Sequence, residues 1–223
     1  MLSITNMWPF KKKLNSLPAR SLDDLKANTK ILFIDDQKFN YVDALKEKDG
    51  WKNISRISDA SSISQFEIKE AHIIFVDIQG VGKKLGFNDE GLELIQAIRK
   101  QYPEKKIIMY SAENKGKIDG LHPAGNLVDY RLRKTASRYE FENTIERFAK
   151  EAFCLDNCVS HIREVFQREL GISKTEEEIK NVINILYSKN KYKDSSNIAK
   201  AFGLDNVGSI ANIIQLLLTA FGA

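Results

Sequence analysis

Cysteine is nearly absent from this chain, with two in 223 residues, Cys154 and Cys158. Two thiols four residues apart fall on one helix face, and they read as free thiols of a reducing, cytoplasmic compartment rather than as a redox pair or a metal site. Histidine is as scarce, at three residues, and neither His72 before an apolar run nor His122 before Pro123 has ligand spacing. No apolar run approaches the ~20 residues that a membrane-spanning helix needs. The start, MLSITNMWPFKKK, lacks a proper apolar core followed by a cleavage site and is not read as a secretory signal. Internal repeats and low-complexity segments are missing as well. What remains, at 43% hydrophobic and 29% charged, is a soluble globular composition with material for one large domain or two small ones.

A charge excess of one sign is also lacking over most of the chain. Residues 31–150 carry twenty Lys/Arg against nineteen Asp/Glu, and residues 151–223 carry eight against nine. The net charge of +4 belongs to residues 1–30, with six basic residues against two acidic ones. Lys11, Lys12 and Lys13 beside Trp8 and Phe10 are expected to form a solvated, flexible basic leader over 1–29 rather than a membrane or nucleic-acid contact.

From residue 30 the pattern alternates. KILFID, HIIFVDI and KKIIMYSAE are continuous apolar runs, NISRIS and GNLVDYRLRK are weaker ones, and stretches of helical spacing lie between them. DEGLELIQAIRKQYP places Leu92, Ile95 and Ile98 on one helix face and is stopped by Pro103. Buried strands alternating with helices predict a parallel sheet covered on both faces, and such sheets bind ligands at the carboxyl ends of their strands. Asp35, Asp36, Asp77, Ser111 and the Arg/Lys cluster at 131–134 all fall at those ends.

Two adjacent carboxylates at the end of a buried strand repel one another and need a compensating cation. With Asp77 they form a hard-oxygen set that suits Mg²⁺, which takes few carboxylates and keeps several waters. Asp77 beside such a cation is a candidate nucleophile toward phosphorus. Transfer of a phosphoryl group then needs its charge held by the metal, a hydroxyl from Ser111 and a cation from 131–134.

In this order and near these spacings, LFIDDQ, IIFVDIQ, IIMYSAE and RLRK resemble the receiver domain of two-component response regulators over about 30–150. The resemblance implies an α/β, flavodoxin-like (CheY-like) five-stranded parallel sheet with helices on both faces. It implies Mg²⁺ held by Asp36, by Asp35 as second of the acidic pair, by Asp77 and by the Gln79 backbone carbonyl. Asp77 is then the phosphoacceptor, Ser111 the switch hydroxyl and Lys134 the phosphoryl-pairing cation, with a sensor histidine kinase or phosphotransfer protein as donor. The chain departs from the family pattern in four places. Thr135 stands where Pro usually follows the Lys, and Arg131 stands where an aromatic usually precedes it by three. Choosing Arg133 as the cation would bring Tyr130 into register, whereas choosing Lys134 keeps Leu132 at the apolar position two before it; Lys134 is preferred. The segment after Asp77, with GVGKKLGFN, is several residues longer than usual, and ENKGKIDGLHPAGN makes a poor helix.

Beyond residue 136 the character becomes helical, and residues 151–223 are expected to form a small all-α output or dimerisation domain. From Phe141 neither Gly nor Pro occurs until Gly171, and Phe141, Ile145, Phe148, Ala152, Leu155, Val159, Ile162 and Phe166 recur at heptad spacing. This predicts one long bundle or coiled-coil helix, or two helices broken near Asp156 and Asn157. Ser173 and Glu176 are expected to cap the next helix. The stretch after Asp205 carries no charge, which points to burial in this protein or in a partner.

The expected output is protein association, as a homodimer or with a partner protein through 141–223. It is not catalysis, because 151–223 show no nucleophile–base pair. Rival readings are a DNA-binding transcriptional regulator, a phosphatase with an aspartyl nucleophile, and a scaffold that takes no phosphate. The first lacks basic residues for phosphates after DSSNIAKAFG, and the second lacks the Asp-x-Asp spacing on its first strand. The intact acidic pair, Asp77 and Ser111 argue against the third.

Overall fold

The computed structural model describes residues 19–112 and 123–204. They form two compact units, Ala19–Asn157 and the residues from Cys158 onward. In the first unit five parallel strands lie in the order β2-β1-β3-β4-β5: β1 (Lys30–Ile34), β2 (Asn53–Ile57), β3 (Ile73–Asp77), β4 (Lys106–Ser111) and β5 (Tyr130–Arg133). This is the flavodoxin-like order that the resemblance implies, in the parallel sheet that the sequence pattern predicts. Central β3 is buried along its whole length, which is why it reads as an unbroken apolar run.

Both faces are covered. One cluster joins Phe33, Phe75 and Tyr110 to Leu45 of α2 (Tyr41–Glu47) and to Phe141, Ile145 and Phe148 of α5 (Arg138–Ala152). The other joins Leu32, Ile74, Val76 and Met109 to Ile68 of α3 (Phe66–Glu70) and to Leu94, Ile95 and Ile98 of α4 (Gly91–Gln101). Phe33 and Phe75 stack with centroids 4.4 Å apart, and each such buried aromatic contributes about 1.5–3 kcal/mol of transfer free energy. Between β4 and β5 the described residues hold one 3-10 turn, Pro123–Asn126.

The chain before β1 differs from the expected flexible leader. Residues Leu22–Asn28 form a helix, α1, because Ser21 accepts a hydrogen bond from the Asp24 N–H at 3.1 Å and Leu25 has core to enter. The remainder of the leader, residues 1–18, lies outside the described residues, as do most of ENKGKIDGLHPAGN and the uncharged terminus after Asp205.

The heptad seam is two helices. Helix α5 ends at Ala152, and α6 runs Leu155–Leu170, so the break precedes Asp156 and Asn157 by a few residues. Phe141, Ile145, Phe148 and Ala149 are buried in the core of the first unit, which removes that part of the seam from any coiled coil. The compact units divide after Asn157, so the α/β unit extends on both sides of the expected 30–150. The second unit continues with α7 (Glu176–Ser188) and α8 (Ser195–Phe202), burying Ile162, Phe166, Ile179, Ile183, Leu186, Ile198 and Phe202. Helix α7 is capped by Thr175 with Glu178, two residues beyond the expected Ser173 and Glu176. Gly203, at φ 71°, ends α8 as a left-handed cap. Cys154 and Cys158 are free thiols. Among the described residues no helix is long and apolar enough to cross a membrane.

Candidate functional site

Register builds the site. Ile34 lies beside Val76, Asp77 beside Tyr110, and Ser111 beside Arg133. The next residue of β1 is Asp35, and the next after β5 is Lys134, so both emerge at the carboxyl edge beside Asp77. The strand order reverses between β1 and β3, and at such a switch point the flanking connections leave on opposite faces and open a crevice. Asp36, Gln37, Asp77, Gln79, Gly80, Lys83, Glu90, Ala112 and Lys134 line it.

Lys134 sits at the centre of the charges. Its Nζ is 2.5 Å from Asp77 Oδ2 and 3.0 Å from Asp35 Oδ2. Arg133 is exposed, and Lys134 is the one of the two cations that the structure brings to the carboxylates. The Lys134 N–H also donates to the Ser111 carbonyl at 2.8 Å, which ties the cation to the end of β4. Asp35 is held on both oxygens: Oδ1 accepts from the Gln37 N–H at 2.9 Å and Oδ2 from the Tyr110 hydroxyl at 2.7 Å. Asp77 Oδ1 accepts a longer hydrogen bond, 3.4 Å, from the Gln79 N–H. Ser111 is buried at the end of β4, and the pocket lining includes its neighbour Ala112 rather than Ser111 itself.

Burial pushes the Asp77 carboxyl above its ordinary value, against the hydrogen bond and charge of Lys134, which pull it down. Burial alone would lower the Lys134 ammonium, but hydrogen bonds to Asp77 and Asp35 outweigh it and hold it above the ordinary lysine value. Tyr110 is pushed far upward by burial and by its bond to Asp35, so it acts as a neutral donor.

Asp35, Asp36 and Asp77 each offer an oxygen, and these lie within 4.8 Å of one another. Three carboxylates face one ammonium, and the donors are all hard oxygens without His or Cys, a set that fits a divalent cation of the Mg²⁺ type. Glycines let the chain pass close to these carboxylates. A Cβ on Gly80 would meet the Asp36 carboxylate at 2.3 Å, and one on Gly91 would meet the Asp77 carbonyl oxygen at 1.9 Å.

Sequence reasoning missed Tyr110, Lys83 and Glu90. Alternation along β4 puts Tyr110 on the face of Phe33 and Phe75, a signal that was there to read. Lys83 and Glu90 carry no such signal, since their place depends on how the long loop folds.

The α/β unit has a flavodoxin-like, CheY-like fold. Solved structures that it resembles include receiver domains. One from Methanospirillum hungatei is 18% identical, covers 56% of this chain and 96% of its own, and gives a TM-score of 0.45. The receiver domain of NtrX from Brucella abortus is 24% identical, covering 54% and 98% at a TM-score of 0.44. The response regulator TrrA from Thermotoga maritima, solved in complex with Mg²⁺ and BeF, is 22% identical, covering 54% and 98% at 0.42. No family model matches the chain, and no curated protein does.

Proposed function

We propose that this protein is a response regulator whose receiver-fold unit accepts a phosphoryl group on Asp77. The observation that carries the reading is Lys134, bridging Asp77 and Asp35 beside exposed Asp36 at the switch point of the sheet. Burial makes Asp77 basic for a carboxylate, Lys134 opposes that rise, and the buried Asp77 carboxylate is the nucleophile. Its Oδ joins phosphorus while the bond from phosphorus to the donor's leaving atom breaks and that atom departs with the electron pair. Lys134 moves with the added charge and pairs with a phosphoryl oxygen, and Ser111 supplies a hydroxyl to another. Asp35, Asp36, Asp77 and the Gln79 carbonyl are the groups that would hold Mg²⁺, which when bound neutralises the charge of the transferred group.

The donor is a phosphohistidine on a sensor histidine kinase or a phosphotransfer protein, in the cytoplasm. Phosphorylation adds nearly two negative charges and biases a two-state surface. The output is protein association through the helices beyond Ala152, not catalysis. Exposed Ile172 and Ile185 are apolar surface available to a partner.

Intact mass after incubation with acetyl phosphate and Mg²⁺, with light scattering in parallel, tests the reading. One added phosphoryl group is expected, absent from Asp77→Asn and absent without Mg²⁺, with a change in oligomeric state. A chain that gains no mass from acetyl phosphate or from a panel of phosphorylated histidine donors refutes it.

A further inference from the structure

Between β3 and α4 the chain carries an arm, residues 78–90, of which the chemistry above uses only Gln79. The arm is anchored. Val81 is fully buried. Asp59, beyond the end of β2, grips it from a distance: Oδ2 accepts from the Lys84 N–H at 2.9 Å, and Oδ1 accepts from the Gly82 N–H at 2.5 Å. Gly82 takes φ 84°, and a Cβ there would lie 2.8 Å from the Glu90 carbonyl oxygen, so the arm can fold back on its own end only at a glycine. Glu90 holds φ 49°, a value a non-glycine residue keeps only when its surroundings impose it.

These anchors place Lys83 at the rim of the pocket that also holds Asp36, Asp77 and Lys134. Its Nζ lies 3.3 Å from Glu90 Oε1, and Glu90 Oε2 accepts from the Gly80 N–H at 2.5 Å. The Lys83 side chain is 60% exposed, against 18% for Lys134. One cation is therefore sunk among the carboxylates, and a second waits in solvent at the entrance, paired with a single carboxylate.

We infer that Lys83 is a positioning residue for the incoming phosphodonor, with Glu90 as its resting counter-ion. The inference rests on Asp77 being the phosphoacceptor. A donor phosphate carrying two negative charges meets three carboxylates at the pocket floor, and an ammonium at the rim offsets that repulsion on approach. Two charges on the donor compete well against one on Glu90 for the Lys83 ammonium. With acetyl phosphate, the transfer joins Asp77 Oδ to phosphorus and breaks the bond from phosphorus to the bridging oxygen, which leaves with its electron pair as acetate; no proton is taken up. Lys83 touches neither bond, so it acts on donor binding and not on the rate at saturation.

The test compares the full-length chain with Lys83→Gln and Glu90→Gln, using acetyl phosphate and Mg²⁺ and intact mass as the readout. Lys83→Gln is expected to raise the half-saturating concentration of acetyl phosphate by about threefold, as for an exposed ion pair, with the saturated rate unchanged and the salt dependence flattened. Glu90→Gln, which frees the ammonium, is expected to lower that concentration. Calorimetry with phosphonoacetate, which cannot transfer its phosphorus, is expected to show the same loss of affinity in Lys83→Gln without any turnover. Equal half-saturation and equal phosphonoacetate affinity in the two proteins overturn the role of Lys83 alone. A change confined to the saturated rate overturns it too. A wild-type chain that gains no phosphoryl group overturns the Asp77 reading and this inference together.

Discussion

Replacing Tyr110 with phenylalanine removes one oxygen atom and leaves a ring. The ring is fully buried, edge-on to Phe33 and Phe75 with centroids 5.9 and 6.0 Å away, and 5.4 Å from Phe39, so its packing survives. What is lost is the 2.7 Å hydrogen bond to Asp35 Oδ2. A hydrogen bond to a charged group contributes about 1.5–3 kcal/mol. Asp35 retains the Gln37 N–H on its other oxygen and Lys134 at 3.0 Å on the same one. The low end of the range is therefore expected, a loss of about 1.5 kcal/mol. Urea unfolding followed by the emission of Trp51 measures it, in a Trp8→Phe background because the chain has two tryptophans and Trp51 is fully buried in this core. The midpoint should fall with an unchanged slope. A loss under about 0.5 kcal/mol would show that the Asp35 carboxylate is satisfied without Tyr110, and the account of the pocket floor would be wrong.

Three further outcomes follow from the same geometry. Lys134→Met strands two buried carboxylates and should destabilise the chain by about 3 kcal/mol at neutral pH, less as acid protonates one of them; Arg133→Met, at an exposed site, should stay within about 0.5 kcal/mol by the same urea measurement. Gly91→Ala forces a Cβ to 1.9 Å from the Asp77 carbonyl oxygen and should lower stability by about 3 kcal/mol or displace Asp77, seen as slower phosphorylation by acetyl phosphate. The Thr175 backbone N–H and hydroxyl hold the Glu178 carboxyl below its ordinary 4.5, so its contribution is present above that pH and lost as pH falls below it. Glu178→Gln should therefore flatten the acid limb of unfolding below about pH 4.5, read by circular dichroism at the helix bands.

Much of the sheet and of the pocket floor was legible in the sequence for one physical reason. Strands buried on both faces must be apolar throughout, so the first polar residue after each run marks the edge where ligands bind. Asp35, Asp77 and Ser111 are such residues, whereas Lys134 follows a strand that already carries Arg131 and Arg133. Helix α1 was hidden because its cap, Ser21 with Asp24, lies in a stretch dominated by basic charge. The break between α5 and α6 was misplaced because Phe153 and Leu155 keep the chain apolar across it. A 3.5-residue period does not distinguish a helix lying on a sheet from one lying on a partner. Ser173 and Thr175 each have a glutamate three residues on, and nothing local chooses between them. The arm at 78–90 was visible only as extra length, since its anchor Asp59 is 23 residues from Gly82.

The sheet is electrically lopsided. By strand parity Asp35 and Asp77 stand on the side of Phe33 and Phe75, and the Tyr110 hydroxyl reaches them from that same aromatic layer, which continues into Phe141 of α5. The layer beneath, with Leu94, Ile95 and Ile98 of α4, is mostly aliphatic, and by the same parity Ser111 follows Ile107 and Met109 onto it. A methyl group added or removed near Phe141 should reach the carboxylates through the ring stack and the Tyr110 hydroxyl, whereas the same change near Ile98 should reach the site by way of Ser111. One face of the sheet brings carboxylates to the site, and the other brings a hydroxyl.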